Sequence, residues 1–153
     1  MNFPDVPPTL EGISDLINLL RGPSGCPWDK KQTADSLTGH LIEECYELVE
    51  AIEKKDYNNI NEELGDVILN VAYQIIFLKE VSDIDEQSII KNLYAKIKIR
   101  HPHVFSDTNI KNAEEVEQNW EKIKDDSNID LANNNNDIPK YLPSLSLALK
   151  LQK

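Results

Sequence analysis

Two apolar series at helical spacing constrain this chain more than any other feature. Leu37, Leu41, Cys45, Leu48 and Ile52 follow one another at steps of four, four, three and four. Ile60, Leu64, Val67, Val71, Ile75 and Leu78 repeat the pattern. That period belongs to an amphipathic helix and not to a strand. A short polar break, Lys54 to Asn59, separates the two series. Two antiparallel helices joined there are expected, the first from Thr33 to about Lys54 and the second to about Val81. Asn59 with Glu62 resembles a capping box for the second helix, and Asn58 is an equally fair cap.

Each of these helices carries an acidic pair at i, i+3: Glu44 with Glu47, and Glu63 with Asp66. On a helix that spacing sets two carboxylates side by side, one turn apart. Acids are 27 of 153 residues, so chance alone gives about five such pairs, and most acidic pairs are solvated faces. The phase is more informative than the spacing. At 100° per residue both pairs fall at the edge of the apolar stripe of their own helix, not opposite it. A hairpin would then bring four carboxylates to one place. Two unit charges ~4 Å apart repel by roughly 4 kcal/mol at an effective dielectric near 20. Such a cluster needs protonation, basic partners or a cation, and oxygen ligands suit a hard ion, Mg²⁺ before Zn²⁺. Gly65, inside the second helix, costs about 1 kcal/mol relative to Ala and suggests close approach of a helix or ligand.

The rest of the chain reads as further helices. Thr9 is placed to cap one running to about Leu20. Residues 21–29, RGPSGCPWD, form a loop by their Gly and Pro content. Trp28 within it either packs on the first helix or stacks on a ligand. His40 stands one turn before Glu44. Glu43 points to the polar side of Glu44, where it is solvated or serves as a base. Asp83 or Asp85 would cap a helix from about Glu86 to Ile99, whose Lys91, Lys96, Lys98 and Arg100 form the densest basic run of the chain. That run either balances charge and the helix dipole or captures phosphate. Pro102 ends the helix, and a further one is expected from Ala113 to Lys124. Residues 125–139, with four successive Asn, read as a linker. Residues 140–153 read as the start of another helix, apolar and abruptly ended, as in a fragment or truncated chain or one docked on a partner. No strand pattern is convincing. The expected class is all-α, a bundle of four to six helices.

Composition narrows the functions. A formal charge of −11 argues against nucleic acid as a partner, because phosphate backbones need basic surface. No apolar run approaches a membrane span and no signal peptide is evident, so a soluble cytoplasmic protein is expected. Cys26 and Cys45 make no disulfide framework or zinc spacing. Cys45, on the apolar stripe, is expected to behave as a small hydrophobe. No Gly-rich phosphate loop and no Ser or Cys nucleophile with its base is present.

The acids stand as Glu43-Glu44-Cys45-Tyr46-Glu47 and Glu63-Leu64-Gly65-Asp66. With GCPWDKKQT at 25–33, RHPHVF at 100–105, NWEKIK at 119–124 and DIPKYLPSL at 137–145, the chain resembles the MazG-type nucleoside triphosphate pyrophosphohydrolases over nearly its whole length. The match is to the first of the two domains that many members carry. The resemblance implies an all-α pyrophosphatase bundle over residues 1–124 and a homodimer or higher homo-oligomer. It implies Mg²⁺-dependent hydrolysis of (d)NTPs to (d)NMP and pyrophosphate, with Mn²⁺ as an alternative ion. By motif position Glu44, Glu47, Glu63 and Asp66 hold metal, Lys96 and Arg100 lie near the phosphates, and Trp120 lies near the nucleotide. Glu43 would help take a proton from water. Ile99 departs from the basic residue often found before that Arg. One copy in a tandem pair can be catalytically weak, so the alternative is a domain that binds nucleotide or metal, or serves dimerisation. A plain helical dimerisation module with a solvated acid cluster is a third reading.

Overall fold

The computed structural model describes residues 6–106, 110 and 112–129. Six α-helices follow in order among them: α1 Leu10–Arg21, α2 Thr38–Lys54, α3 Tyr57–Val81, α4 Glu86–Arg100, α5 Pro102–Phe105 and α6 Ala113–Ile129, with a 3-10 turn at Asp29–Lys31 before α2. No strand occurs among the described residues, and no helix among them is long and apolar enough to cross a membrane. The chain forms two compact units, one up to Ile90 and one from Lys91.

In the first unit α2 and α3 form the expected hairpin, and α1 packs against α3. The core consists of Ile17, Leu37, Ala72, Tyr73, Ile76 and Phe77, flanked by Ile13 and Leu69. Thr9 caps α1, its Oγ1 accepting from the Gly12 amide at 3.1 Å. Arg21 fastens the end of α1 to α3. Its guanidinium donates to both Glu80 carboxylate oxygens, at 2.9 and 3.2 Å, and lies 4.5 Å from the centre of the Phe77 ring.

The hairpin departs from expectation at both of its boundaries. Residues 33–37 are a separate turn and α2 begins at Thr38. Thr33 and Ser36 exchange side chain to amide hydrogen bonds at 2.9 and 3.2 Å, competing with a continuous helix. The cap of α3 is Asp56, not Asn58 or Asn59. Its Oδ1 accepts from both of their amides, at 3.2 and 3.3 Å. The cause lies one residue earlier. Lys55 adopts φ 56°, the left-handed region, and the amides of Lys55 and Asp56 turn back to Ile52 and Ala51. This motif closes α2 in a single residue and lets α3 start early.

The expected stripes are also partly displaced. Cys45, Ile52, Leu64, Val71 and Leu78 are exposed, whereas Ala51, Ala72, Tyr73, Ile76 and Phe77 are buried. α3 is apolar on more than one face, so periodicity alone selects the wrong one as the core of this chain. Gly65 is exposed, and a Cβ there would meet nothing within 4 Å. The expected close approach is not made among the described residues.

Asp85 caps α4, accepting from the Ser88 amide at 2.8 Å and from its hydroxyl at 2.6 Å. None of the α4 residues is buried. Ile90, Leu93, Tyr94 and Ile97, at i, i+3, i+4 and i+7, present an exposed apolar face. In the second unit His101 Nδ1 lies 2.7 Å from the Ile97 carbonyl oxygen and closes α4. Past that end, Pro102–Phe105 make the single turn α5. α6 runs five residues past the expected Lys124, since nothing in DDSNI breaks a helix. Most of the expected linker 125–139, and all of 140–153, lie outside the described residues.

Candidate functional site

The tight connection at Lys55 aligns the acidic turn of α2 with that of α3. Glu44, Glu63 and Asp66 are half-buried, and each offers a carboxylate oxygen within 4.8 Å of the other two. Glu47 is exposed and outside that trio, yet close enough for its charge to act on both Glu44 and Glu63. Desolvation is the first cause that raises the Glu44 carboxyl above its ordinary range, followed by the charges of Asp66, Glu47 and Glu63. Glu63 is raised the same way, by desolvation and then by Glu47, Asp66 and Glu62, against a hydrogen bond with Glu44 that lowers it. Among the described residues no Lys or Arg forms an ion pair with any of the four acids. Repulsion is therefore relieved by shared protons or by a cation. Three or four converging carboxylates are the donor set of a hard divalent ion.

Glu43 does not join the cluster. It is exposed, with its Oε2 3.9 Å from His40 Nδ1. Trp28 keeps 53% of its surface exposed and meets His40 edge to face, ring centroids 6.2 Å apart. Behind these rings a cleft of about 230 Å³ runs to the acids, lined by Trp28, His40, Glu44, Asp66, Asn70 and Tyr73 among others. Its floor is polar in two places that the sequence reading passed over. Asp29 is buried and accepts a hydrogen bond from the Tyr73 hydroxyl. Burial, that bond and the Asp29 charge hold the Tyr73 phenol above its ordinary range. Asn70 is 8% exposed and donates from Nδ2 to the Asp66 carbonyl oxygen at 3.0 Å. The signal for Asn70 was a polar residue between Leu69 and Val71, one turn after an acid, in a run otherwise apolar.

Lys96, Arg100 and Trp120 belong to the second unit. Lys96 is exposed on α4. The Arg100 guanidinium lies 5.0 Å from the centre of the Trp120 ring, a cation–π contact that joins two of the expected substrate residues.

The hairpin lies within a span that known proteins match. A family profile described as the MazG nucleotide pyrophosphohydrolase domain matches residues 32–105. The crystal structure of a mazG-related protein from Thermotoga maritima superimposes with a TM-score of 0.62 at 32% identity, covering 75% of this chain and 98% of that one. The chain belongs to the MazG family. The uncharacterized protein YabN of Bacillus subtilis is 45% identical over 139 residues, 90% of this chain and 28% of that protein. The nucleoside triphosphate pyrophosphohydrolase of Escherichia coli K12 is 35% identical over 147 residues, 94% of this chain and 56% of its own length. The chain thus spans about half, or less, of the curated relatives that it matches. As a MazG member it carries the acid pairs at 44/47 and 63/66 inside the matched span.

Proposed function

We propose that this MazG domain hydrolyses (d)NTPs to (d)NMP and pyrophosphate with Mg²⁺ held by Glu44, Glu47, Glu63 and Asp66, Mn²⁺ serving in its place. The observation that carries the reading is the convergence of Glu44, Glu63 and Asp66 without a basic partner. The names of relatives supply the reaction class, since the Escherichia coli relative is a nucleoside triphosphate pyrophosphohydrolase. When bound, the ion supplies Lewis acidity to phosphate oxygens and a water of lowered pKa.

The chain's own groups divide the remaining work. The four carboxylates fix the site by their placement on two rigid helices. Lys96 and Arg100 offset phosphate charge. Trp120 provides a flat face for the nucleobase, with Arg100 held against its ring. Glu43, exposed and one residue before Glu44, is the candidate acceptor for the proton that attacking water loses. The unpartnered apolar face of α4 supports assembly as a homodimer. A second reading rests on the same acids and the exposed apolar face of α4. In that reading the domain is catalytically weak and binds metal and nucleotide, or serves dimerisation.

The deciding experiment supplies NTPs and dNTPs with Mg²⁺ and quantifies products. Equal amounts of monophosphate and pyrophosphate, abolished by chelator and in Glu63→Gln, are expected. Folded protein that binds nucleotide with no release favours the second reading. Diphosphate and inorganic phosphate as products would overturn the site of cleavage.

A further inference from the structure

The cleft beside the acids contains a buried amide that the cation reading leaves unused. Asn70 lies one helical turn beyond Asp66 on α3, more than nine-tenths buried. The orientation of its amide is fixed by chemistry. The Asp66 carbonyl oxygen can only accept, so Nδ2 faces it and Oδ1 takes the opposite side. Among the described residues no protein group donates to Oδ1. It is not among the enclosed unpaired atoms, so it is open to the cleft that Asn70 shares with Glu44 and Asp66, where a ligand donor can reach it.

We propose that Asn70 and its cleft form the sugar subsite of a nucleotide, where a ribose or deoxyribose hydroxyl donates to Asn70 Oδ1. The inference rests on the nucleotide reading above and adds a residue to it. The order of groups along a nucleotide selects the sugar. The scissile α-phosphate must lie at the acids, and the sugar is joined to that phosphate directly. One helical turn, about 5–6 Å, separates Asp66 from Asn70, which is the reach of a sugar and short of a base. The walls agree. Leu37, Leu69 and the Tyr73 ring give the apolar surface that a sugar's C–H face needs, and Trp28 and His40 stand at the rim.

The test is a cycle of deletions on both partners, read as binding and not as turnover. Calorimetry with Mg²⁺ compares a nucleoside monophosphate with its 2′-deoxy, 3′-deoxy and 2′,3′-dideoxy forms, on the wild-type chain and on Asn70→Leu. Loss of the contacted hydroxyl is expected to weaken wild-type binding roughly tenfold. In Asn70→Leu the forms should bind within about twofold of one another, since the coupling is gone. Inorganic pyrophosphate, which has no sugar, should bind both chains alike. Wild-type indifference to both hydroxyls, or a hydroxyl penalty that survives in Asn70→Leu, overturns the proposal. Failure of pyrophosphate to bind the wild type overturns the reading beneath it, a separate and recognisable outcome. Should Asn70→Leu not fold, the side-chain amide resonance of Asn70 in the wild-type chain decides. It must shift with the monophosphate and not with pyrophosphate; no shift overturns the subsite.

Discussion

At the scale of single residues, Glu44 and Glu63 bear the electrostatic cost of the site. Both carboxyls are raised above the ordinary 4.5, with desolvation first among the causes and neighbouring acids next. The folded state then holds protons more tightly than the unfolded chain. By linkage, the stability of the metal-free protein falls as pH rises from about 4.5 through the raised values, and is flat above them. A cation replaces the protons, so Mg²⁺ should restore stability above that window and have little effect below it. Thermal unfolding against pH, with and without Mg²⁺, checks this; a metal-free stability that rises through the window would contradict the origin of the shift. The α2–α3 hairpin and the approach of Glu44, Glu63 and Asp66 were legible from acidic i, i+3 pairs on two helices joined by a short polar break, although Leu37 alone of the apolar stripe that set their phase is buried. Asp29 and Tyr73 were not legible, because their meaning lies in a tertiary contact. The Tyr73 to Asp29 hydrogen bond joins residues 44 positions apart, and no local period encodes that.

At the scale of elements, the helices were legible and their boundaries less so. Thr9 and Asp85 cap as their sequence contexts suggest. The start of α3 escaped because a left-handed Lys55, where Gly is usual, gave no punctuation to read. Apolar residues of α2 and α3 assigned to the core are half-buried or exposed, and the buried face is a different one, so period locates a face and not its partner. The same surplus of exposed apolar surface recurs on α4. Ile90, Leu93, Tyr94 and Ile97 would be covered by a second copy of this chain in a homodimer. Sedimentation equilibrium of the wild type should give twice the chain mass of 17.4 kDa. Leu93→Lys and Ile97→Lys together should shift it to monomer, with helical content unchanged. A monomeric wild type, or a variant that still dimerises, would sink this role for α4.

At the scale of the whole molecule, the charge of −11 and the acid cluster belong to one argument. On the proposed function, a chain so acidic would meet a polyanionic substrate with the help of a cation. The basic run of α4 stands apart in this acidic chain. The central claim, however, is simpler than turnover: the α2–α3 hairpin is a divalent-ion site. Calorimetric titration of the metal-free chain with Mg²⁺ and Mn²⁺, beside Asp66→Asn and Glu47→Gln, addresses it. Saturable binding is predicted for the wild type, weakened at least about tenfold in each variant. Binding of equal strength in all three chains would mean that the acids of α2 and α3 do not hold the ion.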